Sequence, residues 1–255
     1  MPNSNPTIER MMQILKALER VPDGLTQAEL VGQTGLARST VYRMLNSLCE
    51  CEILRESAPG RFMLGGRLIR LASKVTPSSD LISKIRFLQP VLDKLSWDIG
   101  QTCKLSVLER GAIMVVAGAL ARTPHAMSYT IGEYLPLHAG GASKVLMASI
   151  EPSALEALIA KRLPKLTERT IIDRDQFREE IEKVRNQGWA EDTGEYSLSV
   201  CSFAAPVSDA SGAVVAALSV PFMAVTPAEQ RDVILHETIA GAEKISEEFS
   251  RLIAS

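Results

Sequence analysis

Two sets of residues have the types and spacing to do chemistry. Arg38, Ser39, Tyr42 and Arg43 fall on one side of a helical run, because residues three and four apart are neighbours on a helix. Two guanidiniums, a hydroxyl and a phenol on one face can meet phosphates or base edges of a nucleic acid. In the second set, Gly140 and Gly141 stand directly before an apolar helical segment that begins Ala142, Ser143, Lys144. Free amides at a helix start, approached closely because glycine lacks a side chain, suit an anion such as a carboxylate. Close packing of the helix on a sheet would ask for the same glycines.

Catalytic arrangements are poorly supported. Ser143 and Lys144 are adjacent, so they project about 100° apart rather than with the S-x-x-K spacing that brings a lysine over a serine. The glycine pair Gly65 and Gly66 does not belong to a phosphate-binding loop, and no G-x-S-x-G occurs. The histidines are His125, His138 and His236; the pair His236 and Glu237 lacks the second histidine of H-E-x-x-H. His138 precedes the glycine pair, where it serves either as a general base or as the closing bond of a loop. Cys49 and Cys51 lack a second Cys/His pair for zinc, and Cys103 and Cys201 are scattered, so these thiols are read as packing residues. We therefore expect no enzyme, no metal and no cofactor.

The elements that must position the first set are short. Residues 7–20 place Ile8, Met11, Met12, Leu15 and Leu18 on an apolar helical face, and Pro22, Asp23 and Gly24 stop it. Thr26, with Glu29 three residues on, is the capping-box start of a second helix, 27–33, which Gly35 ends in the left-handed conformation. A third helix follows, with Val41, Met44, Leu45 and Leu48 as its buried stripe. Two short strands come next around a tip at 57–60, flanked by Arg55 and Arg61. A helix-turn-helix followed by a basic hairpin is the winged-helix plan, in which one helix enters the major groove. A helical cap with merely solvated arginines is the plainer alternative.

Residues 64–75, with Leu64, Leu68, Ile69, Leu71 and Ala72, read as a helix leaving the wing. A further helix is expected to start at Ser79 or Asp80 and to kink at Pro90. Strands are expected at 102–108 and 112–119, turning at Glu109, Arg110 and Gly111, and again at 200–209 and 213–221 around 210–212. Helices are expected near 141–150, 152–162, 174–187 and 227–254. Strand pairs separated by helices imply an antiparallel sheet with helices packed on it.

The chain has 255 residues and a net charge of −2, with 46% hydrophobic residues, which excludes a disordered tail or a strongly basic scaffold. Residues 1–79 carry 10 Lys+Arg and 7 Asp+Glu, against 18 and 23 in the remainder, so a slightly basic front joins an acidic body. No apolar run approaches the length of a membrane span, and MPNSNPTIER lacks the core of a signal peptide, so a cytoplasmic protein without membrane contact is expected.

The run TGLARSTVYRMLNSL followed by GRFMLGGRLIRLA resembles the winged-helix domain of the IclR family of bacterial transcriptional regulators. The block GEYLPLHAGGASKVLMAS, and a second running GWAEDTGEYSLSVCSFAAPVSDASGAVVAALSV with Glu195, an A-A-P run and a closing A-L-S-V, are similar to that family's effector domain. The resemblance implies an α+β protein: a winged helix-turn-helix DNA-binding domain (1–66), a linker helix (67–79) and a GAF/PAS-like α/β effector-binding domain with an antiparallel sheet (80–255).

By that resemblance, the Gly141 and Ala142 amides hold an effector carboxylate. Asp192, Ser202 and Ser219 form a polar wall, and Met127, Leu135 and Val200 an apolar one. Ser202 stands where glyoxylate-responsive members carry cysteine, with Cys201 beside it, and Pro221 replaces a second serine; both departures disfavour the smallest acids. Asp192 would accept from a hydroxyl, which points to a hydroxylated aromatic or aliphatic acid. On the DNA side, Arg38, Thr40 and Arg61 are expected on phosphates, and Ser39, Tyr42 and Arg43 on bases of a palindromic operator bound by a homodimer or tetramer. The implied function is a ligand-responsive regulator, a repressor of a catabolic operon. Two other readings remain open at this stage. One is a small-acid-binding enzyme or sensor with an N-terminal protein-interaction module; the other is a DNA-binding structural protein whose second domain only oligomerises.

Overall fold

The computed structural model describes residues 5–19, 21–72, 84–109, 111–124, 126–160 and 163–254. The chain forms two compact units, Met1–Thr76 and Pro77–Ser255. The expected cap at Ser79 or Asp80, the linker beyond residue 72, Arg110 and His125 lie outside the described residues.

In the first unit, α1 (Pro6–Glu19), α2 (Gln27–Thr34) and α3 (Arg38–Glu50) pack with a small antiparallel sheet of β1 (Leu25–Thr26), β2 (Leu54–Ala58) and β3 (Arg61–Leu64), in the order β1-β3-β2. α4 (Gly66–Ala72) follows. Ile14, Leu18, Leu30, Val41, Leu45, Leu48 and Leu54 are buried together with Leu25, each worth about 1.5–3 kcal/mol of transfer energy when fully withdrawn from water.

The capping box is formed at Thr26 and Glu29, and Gly35 closes α2 with φ 67°. The apolar face of α1 is rotated from expectation. Its buried residues are Ile14 and Leu18, with Met11 and Leu15 half-buried, while Ile8 and Met12 are exposed. Ile8 stands about 120° around the helix from Ile14, too far to share its contact with α2 and α3.

In the second unit, β4 (Cys103–Glu109), β5 (Ala112–Ala119), β6 (Tyr134–Leu135), β7 (Ala190–Ser197), β8 (Val200–Ser208) and β9 (Val214–Met223) form one antiparallel sheet in the order β6-β5-β4-β9-β8-β7. α5 (Gln89–Ile99) and α9 (Ala228–Ala254) cover one face. There Leu92, Leu105, Phe203, Leu218, Phe222, Ile245 and Phe249 make the larger core. α6 (Gly141–Ala148) lies on the other face, against Ile113, Ala190, Ala204 and Ala217. Behind it pack α7 (Pro152–Ile159) and α8 (Arg174–Gln187).

The expected break at Pro90 takes the form of a 3-10 segment: helical residues 84–85 pass through it into the next helix. A 3-10 turn, Arg86–Leu88, ends just before α5, and Pro90 occupies the first turn. A proline has no N–H to lose there, and its fixed φ suits a helix start. Strand β7 was not foreseen. Its sequence, AEDTGEYS, is polar, and its outer edge is met by side chains instead of another strand: Thr167 donates to the Gly194 carbonyl, Thr170 to that of Glu195 and Arg169 to that of Thr193. Such covering protects an edge from pairing with another chain.

Gly24 links the helices to the wing. Its φ is +79°, and a Cβ there would lie 2.4 Å from the Phe62 carbonyl oxygen. Gly24→Ala is expected to destabilise the first unit by about 1–3 kcal/mol through strain at this position, read as an earlier urea transition of that unit. An unchanged midpoint would contradict the close approach.

Candidate functional site

The outer face of α3 is built by its own inner stripe. With Val41, Leu45 and Leu48 buried, Arg38, Ser39, Tyr42 and Arg43 face solvent, and Thr40 is half-buried. Gln27 in the first turn of α2 donates to the Arg38 carbonyl at 3.1 Å, which ties the starts of the two helices together. The guanidiniums of Arg38 and Arg43 make no ion pair among the described residues. Uncompensated cations beside a phenol and a hydroxyl leave this face ready for phosphates and base edges.

Arg61 is placed differently. Its guanidinium donates to the Gly24 carbonyl at 2.6 Å and lies 3.6 Å from the Glu29 carboxylate. It therefore joins the wing to the capping box. The Thr26 backbone N–H and hydroxyl, with Arg61 adding attraction, hold the Glu29 carboxyl below its ordinary value. Arg55, on β2, is the exposed wing arginine without an ion pair among the described residues; the sequence placed it beside the tip without giving it a role.

In the second unit, register brings most of the expected effector residues onto the α6 face of the sheet. Asp192 of β7 is opposite Ser202 of β8, which is opposite Pro221 of β9; one step along, Ala204 is opposite Ser219. Opposed residues of antiparallel strands share a face. Val200, two residues before Ser202, follows the same alternation and is half-buried.

α6 begins directly over this floor. Gly140 has φ 105°, and the Gly141 N–H donates to Ser202 Oγ at 3.4 Å. A Cβ on Gly141 would stand 3.1 Å from both Ser202 Oγ and Ala204 Cβ. The glycine thus serves both readings that the sequence left open, a close approach to the sheet and an amide turned toward a hydroxyl. Ala142 is buried beside it, and Leu135 packs against the same cluster. Met127 lies half-buried in the loop between β5 and β6. Asp192 Oδ1 accepts from the N–H groups of Gly194 at 2.9 Å and Glu195 at 2.7 Å. Burial raises its carboxyl despite these bonds.

Sequence reasoning missed what lies under α6. Lys144 is 1% exposed, and its ammonium donates to Glu180 Oε1 at 2.8 Å and Glu195 Oε1 at 2.7 Å. Burial opposes its charge, but the two carboxylates hold it protonated and its pKa rises. Glu195 Oε2 is buried without a partner among the described residues, and burial pushes that carboxyl up to about 7. A lysine inside an otherwise apolar helical run was the available signal.

His138 is buried and its Nε2 lies 2.8 Å from the Pro164 carbonyl oxygen, so it closes a loop, the plainer of its two sequence readings. The four cysteines are free, and no group of three or more His, Cys, Asp or Glu suited to a metal occurs among the described residues. No helix among the described residues is long and apolar enough to cross a membrane.

Removing the cation should be costly. Lys144→Met leaves buried carboxylates unpaired and is expected to destabilise the second unit by about 3–5 kcal/mol, measured by urea unfolding. Glu195 supplies a pH test. Its carboxyl titrates near 7 when folded against 4.5 as the ordinary value. Between these values the folded chain keeps a proton that the unfolded chain has lost, so this group's contribution to stability falls as pH rises. Glu195→Gln should flatten that fall; parallel wild-type and variant profiles would contradict the assignment.

Comparison with known proteins accords with both halves. Residues 7–58 match the family model described as the IclR helix-turn-helix domain. Residues 74–247 match the one described as bacterial transcriptional regulator IclR C-terminal. The HTH-type transcriptional regulator Rv1719 of Mycobacterium tuberculosis is 32% identical over 220 residues, 86% of this chain and 80% of the relative. A putative transcriptional regulator of Rhodococcus, RHA06195, aligns with TM-score 0.74 and 27% identity, covering 98% of this chain and 99% of that one. An IclR homologue of Microbacterium hydrocarbonoxydans, solved in complex with 4-hydroxybenzoate, has the same fold, with TM-score 0.73, 22% identity and coverage of 98% and 100%. With a helix-turn-helix unit and an effector unit matched in order, the chain belongs to the IclR family of bacterial transcriptional regulators.

Proposed function

We propose that this regulator grips a palindromic operator as a homodimer or a pair of dimers, represses a catabolic operon in the cytoplasm, and changes its operator affinity when a small organic acid binds at Gly141. The observation that carries the effector reading is the start of α6: a glycine amide directed at Ser202 Oγ, over a floor that also holds Asp192 and Ser219. That combination offers N–H groups to a carboxylate and hydroxyls to a second polar group, with Leu135, Val200 and Met127 for an apolar body. The 4-hydroxybenzoate bound by the Microbacterium homologue has this make-up, an acid and a hydroxyl on an apolar ring.

On the DNA side, Arg38 and Thr40 are assigned to phosphates, and Ser39, Tyr42 and Arg43 to base edges. Arg61 would reach a phosphate only by leaving Gly24 and Glu29, so Arg55 is the better placed wing cation. The acid acts on the operator by binding one arrangement of the protein more tightly than another. A catalytic role is disfavoured because Ser143 Oγ is buried without a hydrogen-bond partner among the described residues and His138 is committed to Pro164.

The test is selection of genomic fragments by the purified protein, with and without a panel of aliphatic and aromatic acids. A palindromic site whose recovery changes with one acid supports the proposal; binding without sequence preference whatever the acid overturns it. Within that assay Arg43→Ala should relax sequence preference at one position and cost about 1–3 kcal/mol. Arg38→Ala should weaken all sequences alike and lower the salt slope by about 1.

A further inference from the structure

The second unit contains another lysine withdrawn from water, and its treatment differs from that of Lys144. Lys104 lies on β4 opposite Ser219 of β9 and Gly118 of β5. By register it stands on the same face as Ser219, Ala204, Ser202 and Asp192, the floor beneath the start of α6. It is half-buried, and among the described residues its ammonium makes no hydrogen bond and no ion pair. Two residues along, on the same face, Ser106 Oγ is fully buried and has no partner among the described residues; Ser143 Oγ, in the first turn of α6, is in the same condition. The floor therefore holds donor capacity that the chain itself leaves unused.

Burial pulls the Lys104 pKa down, while Glu133 and Asp192 act from a distance to raise it. Those two carboxylates favour the protonated amine without satisfying it. Lys144 shows the contrasting case, in which the same fold gives a buried ammonium two carboxylates in direct contact. From β8, under Gly141, to β4 is two strand spacings, about 10 Å. A lysine's flexible four-carbon stem and one carboxylate can bridge that gap.

We propose that Lys104 is the specificity-determining residue of the effector site: its ammonium takes one oxygen of the effector carboxylate while the Gly141 and Ala142 amides take the other. The inference rests on the reading of the Gly141 cleft as the effector site. Its consequence is selectivity for charge. Helix-terminal N–H groups donate to any carbonyl oxygen, whether of an acid, an amide or an ester. An unpaired, half-buried ammonium rewards only the anion, because only a negative charge offsets its lost hydration.

The experiment uses the full chain with benzoate, 4-hydroxybenzoate, phenylacetate, pyruvate and succinate, each beside its amide. Thermal shift selects the acids that stabilise the wild type, and calorimetry then compares wild type, Lys104→Met, Lys104→Arg and Gly141→Trp. The expected result is binding of acid but not amide by the wild type, a loss of about 30-fold or more in Lys104→Met, partial recovery in Lys104→Arg and no binding in Gly141→Trp. Acid binding that persists at wild-type strength in Lys104→Met but disappears in Gly141→Trp overturns the role of Lys104 alone. Binding unchanged in both variants, or no stabilisation of the wild type by any acid, overturns the site reading with it.

Discussion

An ammonium sealed from water has to be met by negative charge, and Lys144 is placed where that requirement shapes the surrounding fold. It sits in α6, whose residues 141–147 are all buried, and draws Glu180 of α8 and Glu195 of β7 to within hydrogen-bonding distance. The polar strand β7 is held at the sheet edge partly by this attraction. Asp192 is positioned in turn, because its Oδ1 accepts the N–H of Glu195. One charge thus links the helix that begins at Gly141 with the strand that carries Asp192. Burial is the main reason the Glu195 carboxyl holds its proton to about 7: it outweighs the attraction of Lys144, and the neighbouring carboxyls of Asp192 and Glu180 add to the rise.

The DNA-binding unit is organised around a smaller polar hub. Glu29 receives the Thr26 N–H at 2.7 Å and faces Arg61, which also donates to the Gly24 carbonyl. The turn after α1, the start of α2 and the wing strand β3 are therefore fastened at one place. Arg61 is thus engaged within the unit, whereas Arg38 and Arg43 make no ion pair among the described residues.

Much of this was legible in the sequence because local rules act strongly there. The capping box, the left-handed glycine at 35, the stripe of Val41, Leu45 and Leu48, and both long hairpins follow from neighbouring residues alone. What escaped depended on distant partners. Strand β7 has no apolar alternation, and its register comes from β8 and from the hydroxyls of Thr167 and Thr170. The rotation of α1 is decided by which of its apolar residues α2 and α3 can reach. Lys144 and Lys104 look alike as letters; only the register and the position of Glu180, far along the chain, show that one is paired and the other is open.

In the proposed function the acid cleft and the operator are coupled through two arrangements of one protein, and coupling of that kind is reciprocal. The most direct measurement is a pair of titrations on the same preparation: operator affinity with and without saturating acid, and acid affinity with and without saturating operator. The account predicts that both affinities change by the same factor in the same direction. An acid that binds at Gly141 with an affinity indifferent to the operator would contradict it.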